Sequence, residues 1–248
     1  MKNKILFVTC TAILILTLKI NASDRTLTEI QRIHIKANSN SIAEDEKKRK
    51  AFFEEEVNLD KKDFSDFLTN EFKQTPISPA VLLFSILQYD PMKGIKWLNN
   101  SYDNIYQTVE GKHNFVVSIW KLKFVESNQI MALLLDDKTV IPHMGEPSPF
   151  KVMDDRVCDL VYTELIGSIY EASGEKETLF SPQNSIDPDT KLEARDKAIS
   201  NLKEWWKDHS EEFLKTQPSL VEKYPELKDT IEELKNKIKR QIEKQKSK

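Results

Sequence analysis

Residues 152–173 read VMDDRVCDLVYTELIGSIYEAS, and residues 187–209 read DPDTKLEARDKAISNLKEWWKDH. In each segment apolar residues recur at intervals of three and four, which places them on one face of an α-helix. The two segments therefore predict two helices that pack together as an antiparallel hairpin. The predicted contact faces carry Val157, Leu160, Val161, Leu165 and Ile169 in the first helix, and Ala194, Ala198, Leu202 and Trp205 in the second.

Both predicted helices have start signals at their N-termini. Asp154 or Asp155 precedes the first helix, where a carboxylate can cap the backbone and complement the positive end of the helix dipole. Asp187 is the predicted cap of the second helix. Pro188 follows at the first helical position, where its missing N–H costs nothing.

Polar and sulfur-containing residues of this hairpin are interpreted as structural. Cys158 borders the apolar face, so we expect a small buried hydrophobic side chain rather than a reactive thiol. Asp159 is expected to pair with Arg156 or Arg195 rather than to act as a catalytic acid. We interpret the tryptophan pair at 205–206 as core and rim residues of the hairpin rather than as a platform for a ligand.

The sequence RVCDL at 156–160, with RDKAI at 195–199 and EWWK at 204–207, resembles the C-terminal two-helix module of bacterial HEAT-like repeat proteins. The resemblance covers residues 152–209, under a quarter of the chain. It departs from the family pattern where Val161 and Tyr162 replace alanine and Leu202 replaces tryptophan. It implies an all-α fold of helical hairpins stacked in a HEAT-like array, and a role in binding other proteins.

Composition agrees with a helical protein of one large domain. The chain has 248 residues, of which 39% are hydrophobic, 31% are charged and five are glycine. So few glycines disfavour a β-sandwich, a nucleotide-binding α/β fold and the left-handed backbone of a phosphate-binding loop. The sequence lacks a P-loop, a dinucleotide fingerprint, a G-x-S-x-G motif and an H-E-x-x-H motif. We therefore predict no cofactor and no metal.

Residues 1–22 are predicted to be a signal peptide. Lys2 and Lys4 precede an apolar run from Ile5 to Leu18, and Ala22 offers a cleavage site before Ser23. As a helix this run would span roughly 21 Å, short of the ~30 Å bilayer core, so removal is favoured over anchoring. A lipoprotein modified at Cys10 is the less favoured alternative. The mature protein is expected to be exported, either periplasmic or secreted.

Loss of this segment would make the net charge of −3 more negative, because it carries three lysines and no acidic residue. This balance argues against nucleic acid as a partner. Cleavage would also leave Cys158 as the remaining cysteine, so the mature chain would have no internal disulfide.

Residues 23–248 are predicted to form one helical domain in four parts. Helices fill 24–139, an irregular linker follows at 140–150, the HEAT-like two-helix module occupies 151–210, and a C-terminal helix with a basic tail covers 219–248. Helix starts are predicted at Asp60, at Ser78-Pro79 and at Asp90-Pro91. Further helices are predicted over 101–112, over 115–125 with a strand as the alternative, and over 128–135 with Ser127 as cap.

The C-terminal helix has an apolar stripe and a basic end. Leu227, Ile231, Leu234 and Ile238 follow a 4-3-4 spacing after a predicted capping box at Ser219. The basic tail suits the negative end of the helix dipole. We favour a solvated helix end over contact with an anionic membrane surface, which is the alternative.

The linker holds the best candidates for a chemical site: Asp136, Asp137, His143, Glu146, Asp154 and Asp155. Carboxylates with an imidazole could bind a divalent metal or perform acid–base chemistry. The simpler interpretation is that two of the acids end one helix and two begin another. We therefore assign no catalytic, cofactor-binding or metal-binding residue.

The sequence thus favours an exported, non-catalytic, HEAT-like interaction or scaffolding protein that binds another protein. The alternative is an envelope hydrolase with a carboxylate and histidine site in the 136–155 linker. Surface residues of the helices between Ser78 and Leu135 are expected to contribute to partner binding.

Overall fold

The computed structural model describes residues 51, 57, 59–74, 78–141, 155–173 and 190–247. The chain divides into two compact units, Met1–Val57 and Asn58–Lys248, and the helices and strands below belong to the second. The predicted signal peptide, the segments predicted between 24 and 50 and the loop at 174–186 lie outside the described residues. So do His143, Glu146 and Asp154.

Helices make up 82% of the described residues, which confirms the predicted all-α class. A short antiparallel ladder of two strands, β1 and β2, interrupts them, and a 3₁₀ turn at Pro225–Leu227 precedes the last helix. In chain order the elements are α1 (Lys62–Gln74), α2 (Ser78–Tyr89), α3 (Pro91–Ile105), α4 (Val109–Trp120), α5 (Val125–Leu134), β1 (Val140–Ile141), β2 (Asp155–Arg156), α6 (Val157–Ser173), α7 (Leu192–Lys215), α8 (Leu220–Lys223) and α9 (Lys228–Lys246).

The predicted start of α3 is confirmed, but its predicted end is wrong. Asp90 caps the helix by accepting a hydrogen bond from the Lys93 backbone N–H at 3.0 Å, and Pro91 occupies the first turn. The helix then continues to Ile105, through the position where a separate helix was predicted to begin at Ser101. No proline or glycine interrupts the chain there, so the backbone hydrogen bonds continue.

The break after α3 lies at 106–108 instead. Thr108 caps α4 by accepting a hydrogen bond from the Gly111 backbone N–H at 3.1 Å. A β-carbon at residue 111 would collide with the Ile105 carbonyl oxygen, so glycine permits this tight turn. Residues 115–120 are helical, so the strand alternative for 115–125 is wrong.

The helix predicted over 128–135 begins three residues earlier, at Val125. Ser127 lies inside its first turn, where its hydroxyl accepts a hydrogen bond from the Phe124 backbone N–H at 2.8 Å. The serine therefore does stabilise the helix start, but from the third helical position rather than from the cap.

Helix α6 begins at Val157, later than either predicted cap would place its start. Asp155 and Arg156 are extended, and they pair with Ile141 and Val140 of the predicted irregular linker. Asp155 is therefore a strand residue and not the helix cap. The Asp159 carboxylate, at the third helical position, stabilises the helix start instead by accepting a hydrogen bond from the Arg156 backbone N–H at 3.0 Å.

Helix α7 also differs from the prediction at both ends. It begins at Leu192, with Lys191 at the cap position, so Asp187 and Pro188 do not start it, and it extends to Lys215. Ala194 is exposed, whereas the predicted core residues Ala198 and Leu202 are buried together with Ile199 and Arg195.

The tryptophan pair of α7 is half-buried rather than part of the core. Trp205 stacks on His209 with 5.4 Å between ring centroids, and Trp206 meets Phe213 edge-on at 5.8 Å. Both contacts lie within the same helix at spacings that helical neighbours share. These two ring contacts therefore cover part of α7 itself.

Long-range packing decides which helices become neighbours. Helix α6 packs on α4, α5 and α7, while α9 packs on α3 and α5. The predicted apolar stripe of α9 is confirmed, because Leu227, Ile231, Leu234 and Ile238 are all buried. This packing brings residues 91–105 beside the last helix of the chain. Within the described ranges no helix has both the length and the apolar character required to cross a membrane.

Candidate functional site

Asp136 and Asp137 follow α5 and contact four separate parts of the fold. Asp136 is partly exposed and forms ion pairs with Lys203 of α7 and, at 3.3 Å, with Lys246 of α9. Burial opposes its ionisation, but the two lysines outweigh burial and lower its pKa. This carboxylate therefore links two helices to the end of α5.

Asp137 is fully buried and lies in a polar cluster. Its carboxylate accepts hydrogen bonds from the Tyr106 hydroxyl at 2.8 Å and from the Thr139 backbone N–H at 2.9 Å. Lys112 Nζ lies 3.4 Å from the same group, and the Gln245 amide contacts it from α9. Burial raises the pKa of Asp137, but Lys112 and these hydrogen bonds outweigh burial and lower it. The buried charge is thus balanced, as buried charges require.

A second cluster joins β2, α6 and α7. Asp159 is 2% exposed, and it receives the Arg156 guanidinium at 2.8 Å and the Arg195 guanidinium at 3.1 Å. The predicted structural role of Asp159 is confirmed, with both arginines as partners. Arg156 also reaches Asp196 at 2.6 Å, and Arg195 reaches Asp155 at 3.1 Å. Two arginines and three carboxylates therefore hold the hairpin together.

The linker acids that the structure describes each face a cation. Asp136 and Asp137 face the cations of α4, α7 and α9, while Asp155 faces Arg195. Among the described residues, no group of three or more histidine, cysteine or carboxylate side chains is placed to hold a metal ion. Because His143, Glu146 and Asp154 lie outside those residues, a site that uses them remains a prediction.

The predicted burial of Cys158 is confirmed. Its side chain has no exposed surface, and burial raises the pKa of the thiol to about 12. Arg156 opposes this shift but does not outweigh it. A thiol held neutral at physiological pH is a poor nucleophile, so the residue acts as a small hydrophobic side chain.

A half-open cavity of about 380 Å³ lies between α3 and α9, and we call it the α3–α9 groove. One wall is the last turn of α3 and the turn that follows it; the other is the second half of α9. Helical spacing places each set of lining residues on one face of its helix. The α3 wall carries Tyr102, Asp103, Tyr106 and Gln107, and the α9 wall carries Lys237, Arg240, Gln241 and Lys244.

The groove is lined by three cations and one carboxylate. Lys237 is largely buried and donates to the Asn99 carbonyl oxygen at 2.8 Å, and it pairs with Glu233 at 3.1 Å. Arg240 and Lys244 are exposed, and Arg240 interacts electrostatically with Glu233 and donates to the Asn236 carbonyl oxygen at 3.3 Å. Asp103 is the acid of the opposite wall. The lining of the groove therefore has a positive net charge, whereas the whole chain has a net charge of −3.

The inner wall of the groove is aromatic. Tyr102 stacks on Tyr106 with 4.9 Å between ring centroids, and both rings meet Phe115 edge-on at 5.3 Å. Both tyrosines are buried, since each is at most 2% exposed. The Tyr106 hydroxyl donates to Asp137, so the groove adjoins the buried cluster around that carboxylate.

The groove itself was not predicted. Its two walls lie more than 130 residues apart in sequence, as the hydrogen bond between Asn99 and Glu233 illustrates. The only local signal was the basic character of the C-terminal helix, which we interpreted as a solvated end. Comparison with protein-family models, with curated proteins and with solved structures found no match to this chain.

Proposed function

We propose that this chain is an exported, non-catalytic interaction protein that binds an acidic segment of another protein in the α3–α9 groove. The observation that carries the proposal is the positive groove itself. Arg240 and Lys244 line the groove opposite an aromatic wall, and both are exposed. Such a concave, cationic and partly aromatic surface is complementary to a carboxylate-bearing partner.

The resemblance of residues 152–209 to HEAT-like modules supports the same function, because such modules present helix surfaces to protein partners. One wall of the groove belongs to the helices between Ser78 and Leu135, the region from which we expected partner contacts. We retain from the sequence the proposal that residues 1–22 direct export.

Two observations favour binding over the alternative of a hydrolase. The described acids of the linker set, Asp136, Asp137 and Asp155, each contact a cation of the fold. A catalytic acid or base usually lies in a cleft and has a pKa close to the pH at which the enzyme works. Asp136 and Asp137 instead have lowered pKa values, so both carboxylates stay charged.

The test begins with a photo-crosslinking amino acid at Gln107, which is exposed on the groove wall. Lys207, which is exposed on α7, is the control position. We expect a partner that crosslinks from residue 107 and not from residue 207 in the native extracytoplasmic fraction. The partner is then purified and its affinity measured with wild-type protein and variants.

Charge reversal at Arg240 should weaken this complex at least ~10-fold, a loss of about 1.4 kcal/mol. Lys239→Glu is the matched control, because residue 239 lies on the same helix, is exposed and does not line the groove. We expect that control to change the affinity less than ~2-fold. Equal losses for Arg240→Glu and Lys239→Glu would contradict the groove as the binding surface.

A further inference from the structure

Tyr102 has a feature that its packing does not explain. The side chain is 1% exposed and lines the α3–α9 groove, yet its hydroxyl has no hydrogen-bond partner among the described residues. Leaving a buried hydroxyl unpaired costs free energy, so such groups usually have a partner. Its neighbour Tyr106 satisfies this rule by donating to Asp137.

The Tyr102 side chain belongs to the wall that faces the cations of α9. Arg240 offers a planar guanidinium, whose geometry matches the two oxygens of a carboxylate, and Lys244 offers a second positive charge. A cavity of about 380 Å³ exceeds the size of a single carboxylate and falls within the range of pockets for small ligands. It can therefore admit an acidic side chain together with the adjoining backbone.

We propose that the α3–α9 groove is a carboxylate-binding site for an acidic peptide segment. Arg240 and Lys244 bind the carboxylate, and the Tyr102 hydroxyl donates a further hydrogen bond from the inner wall. The inference rests on the proposed function in one respect: the segment belongs to a protein partner. It adds the chemical group that is recognised and the residues that recognise it.

Burial supports the donor role of Tyr102. Burial, with the nearby charges of Asp137 and Asp103, raises the pKa of the phenol well above its ordinary value of 10.0. The hydroxyl therefore keeps its proton at neutral pH, where a carboxylate ligand is ionised. A protonated phenol can donate a hydrogen bond to a carboxylate, whereas a phenolate would repel it.

Asp103 sets the selectivity of the site. Its carboxylate lies on the same wall as Tyr102 and is exposed. It repels an acidic ligand, so it limits affinity and disfavours ligands with charge in that part of the groove. Removing its charge should strengthen the binding of an acidic peptide, a gain that unspecific loss of folding could not produce.

The experiment measures binding of a fluorescein-labelled hexaglutamate peptide to the purified full chain by fluorescence anisotropy. Hexaglutamine is the neutral control peptide. We expect saturable binding of hexaglutamate and none of hexaglutamine at the same concentrations. Arg240→Gln should weaken binding at least ~10-fold, and Lys239→Gln, with the same loss of charge, less than ~2-fold.

Two further variants make the test specific. Tyr102→Phe should reduce affinity by ~10-fold, the effect of one hydrogen bond to a charged group, without lowering Tm. Asp103→Asn should raise affinity. A Tyr102→Phe variant that binds like wild type, or an equal loss for Lys239→Gln and Arg240→Gln, would overturn the site.

Inorganic phosphate, compared with chloride at matched ionic strength, distinguishes the source of the oxyanion. Weak competition by phosphate supports a peptide carboxylate as the ligand. Tighter binding of phosphate than of hexaglutamate would assign the groove to a free phosphate and overturn the proposal of a peptide ligand.

Failure of the carboxylate site can be distinguished from failure of the proposed function. A groove that binds hexaglutamate while no partner crosslinks from residue 107 refutes the interaction protein, and a crosslinked partner insensitive to Tyr102→Phe refutes the carboxylate site.

Discussion

At the scale of single residues, Asp159 holds the position on which the two-helix module depends most. It is buried between the guanidinium groups of Arg156 and Arg195, at 2.8 and 3.1 Å. It also stabilises the start of α6 by accepting a hydrogen bond from the backbone N–H of Arg156. One carboxylate therefore neutralises two buried cations and starts a helix, and no apolar replacement could do both.

We expect Asp159→Asn to lower the free energy of unfolding by about 3 kcal/mol, because it leaves buried arginine charge uncompensated. The loss should not be larger, since Arg156 keeps Asp196 and Arg195 keeps Asp155 as partners. Urea denaturation measures it. Asp208→Asn is the control on exposed surface of α7 and should stay within about 0.5 kcal/mol of wild type. Similar losses for both variants would contradict the central role of Asp159.

The same carboxylate predicts a direction for the pH dependence of stability. Burial raises the pKa of Asp159, but the arginines outweigh burial, so its pKa in the folded state lies below the ordinary value of 3.8. Its contribution is therefore complete above that value and is lost as pH falls toward the folded-state pKa. Urea denaturation between neutral pH and pH ~3 should show wild type losing more stability than Asp159→Asn. Parallel curves for the two proteins would refute this assignment.

At the scale of helices, the contact between α6 and α7 depends on aliphatic residues rather than on tryptophan. Leu202 has no exposed surface, whereas Trp205 and Trp206 are half-buried and stack within α7. The spacing of the sequence placed Trp205 on the contact face. In the structure that ring is only half-buried.

We therefore expect Leu202→Ala to cost ~2–5 kcal/mol of unfolding free energy, the range for a fully buried leucine. Trp206→Ala should cost less than Leu202→Ala despite removing the larger side chain, because a half-buried ring leaves no enclosed cavity. Chemical denaturation of the two variants tests the order. A larger loss at Trp206 would show that the tryptophan, not the leucine, forms the core of the hairpin.

At the scale of the whole unit Asn58–Lys248, α9 closes the fold. It packs on α3 and α5, and its residues Gln245 and Lys246 contact the acidic pair that follows α5. Its buried stripe covers apolar surface of α3 and α5, which end more than 90 residues before it begins. The fold therefore depends on its last helix as much as on the predicted hairpin.

Deletion of residues 228–248 should abolish cooperative thermal unfolding, because it exposes the apolar contact faces of α3 and α5 together. Circular dichroism should then show a gradual transition and a reduced helix signal. Deletion of Ser247 and Lys248, which follow α9, is the control and should leave Tm unchanged. A sharp transition in the long deletion would show that α1–α7 fold without α9.

The sequence by itself determined the features that follow from local chemistry. Helical periodicity predicted the all-α class and the buried stripe of α9, the Asp90-Pro91 pair fixed the start of α3, and the position of Cys158 indicated its burial. Each depends on residues within one or two turns of one another. Helix ends were less accurate, because the strand pairing of Asp155–Arg156 with Val140–Ile141 delays the start of α6.

Tertiary structure alone decided the partners of charged residues and the candidate site. Asp137 was placed by the sequence at a helix end, and it became a buried group because Tyr106, Lys112 and Gln245 converge on it from three helices. The α3–α9 groove likewise joins residues that are neighbours only after α9 packs on α3. Periodicity reports which face of a helix is buried; which helix covers that face depends on the free energy of packing the whole chain.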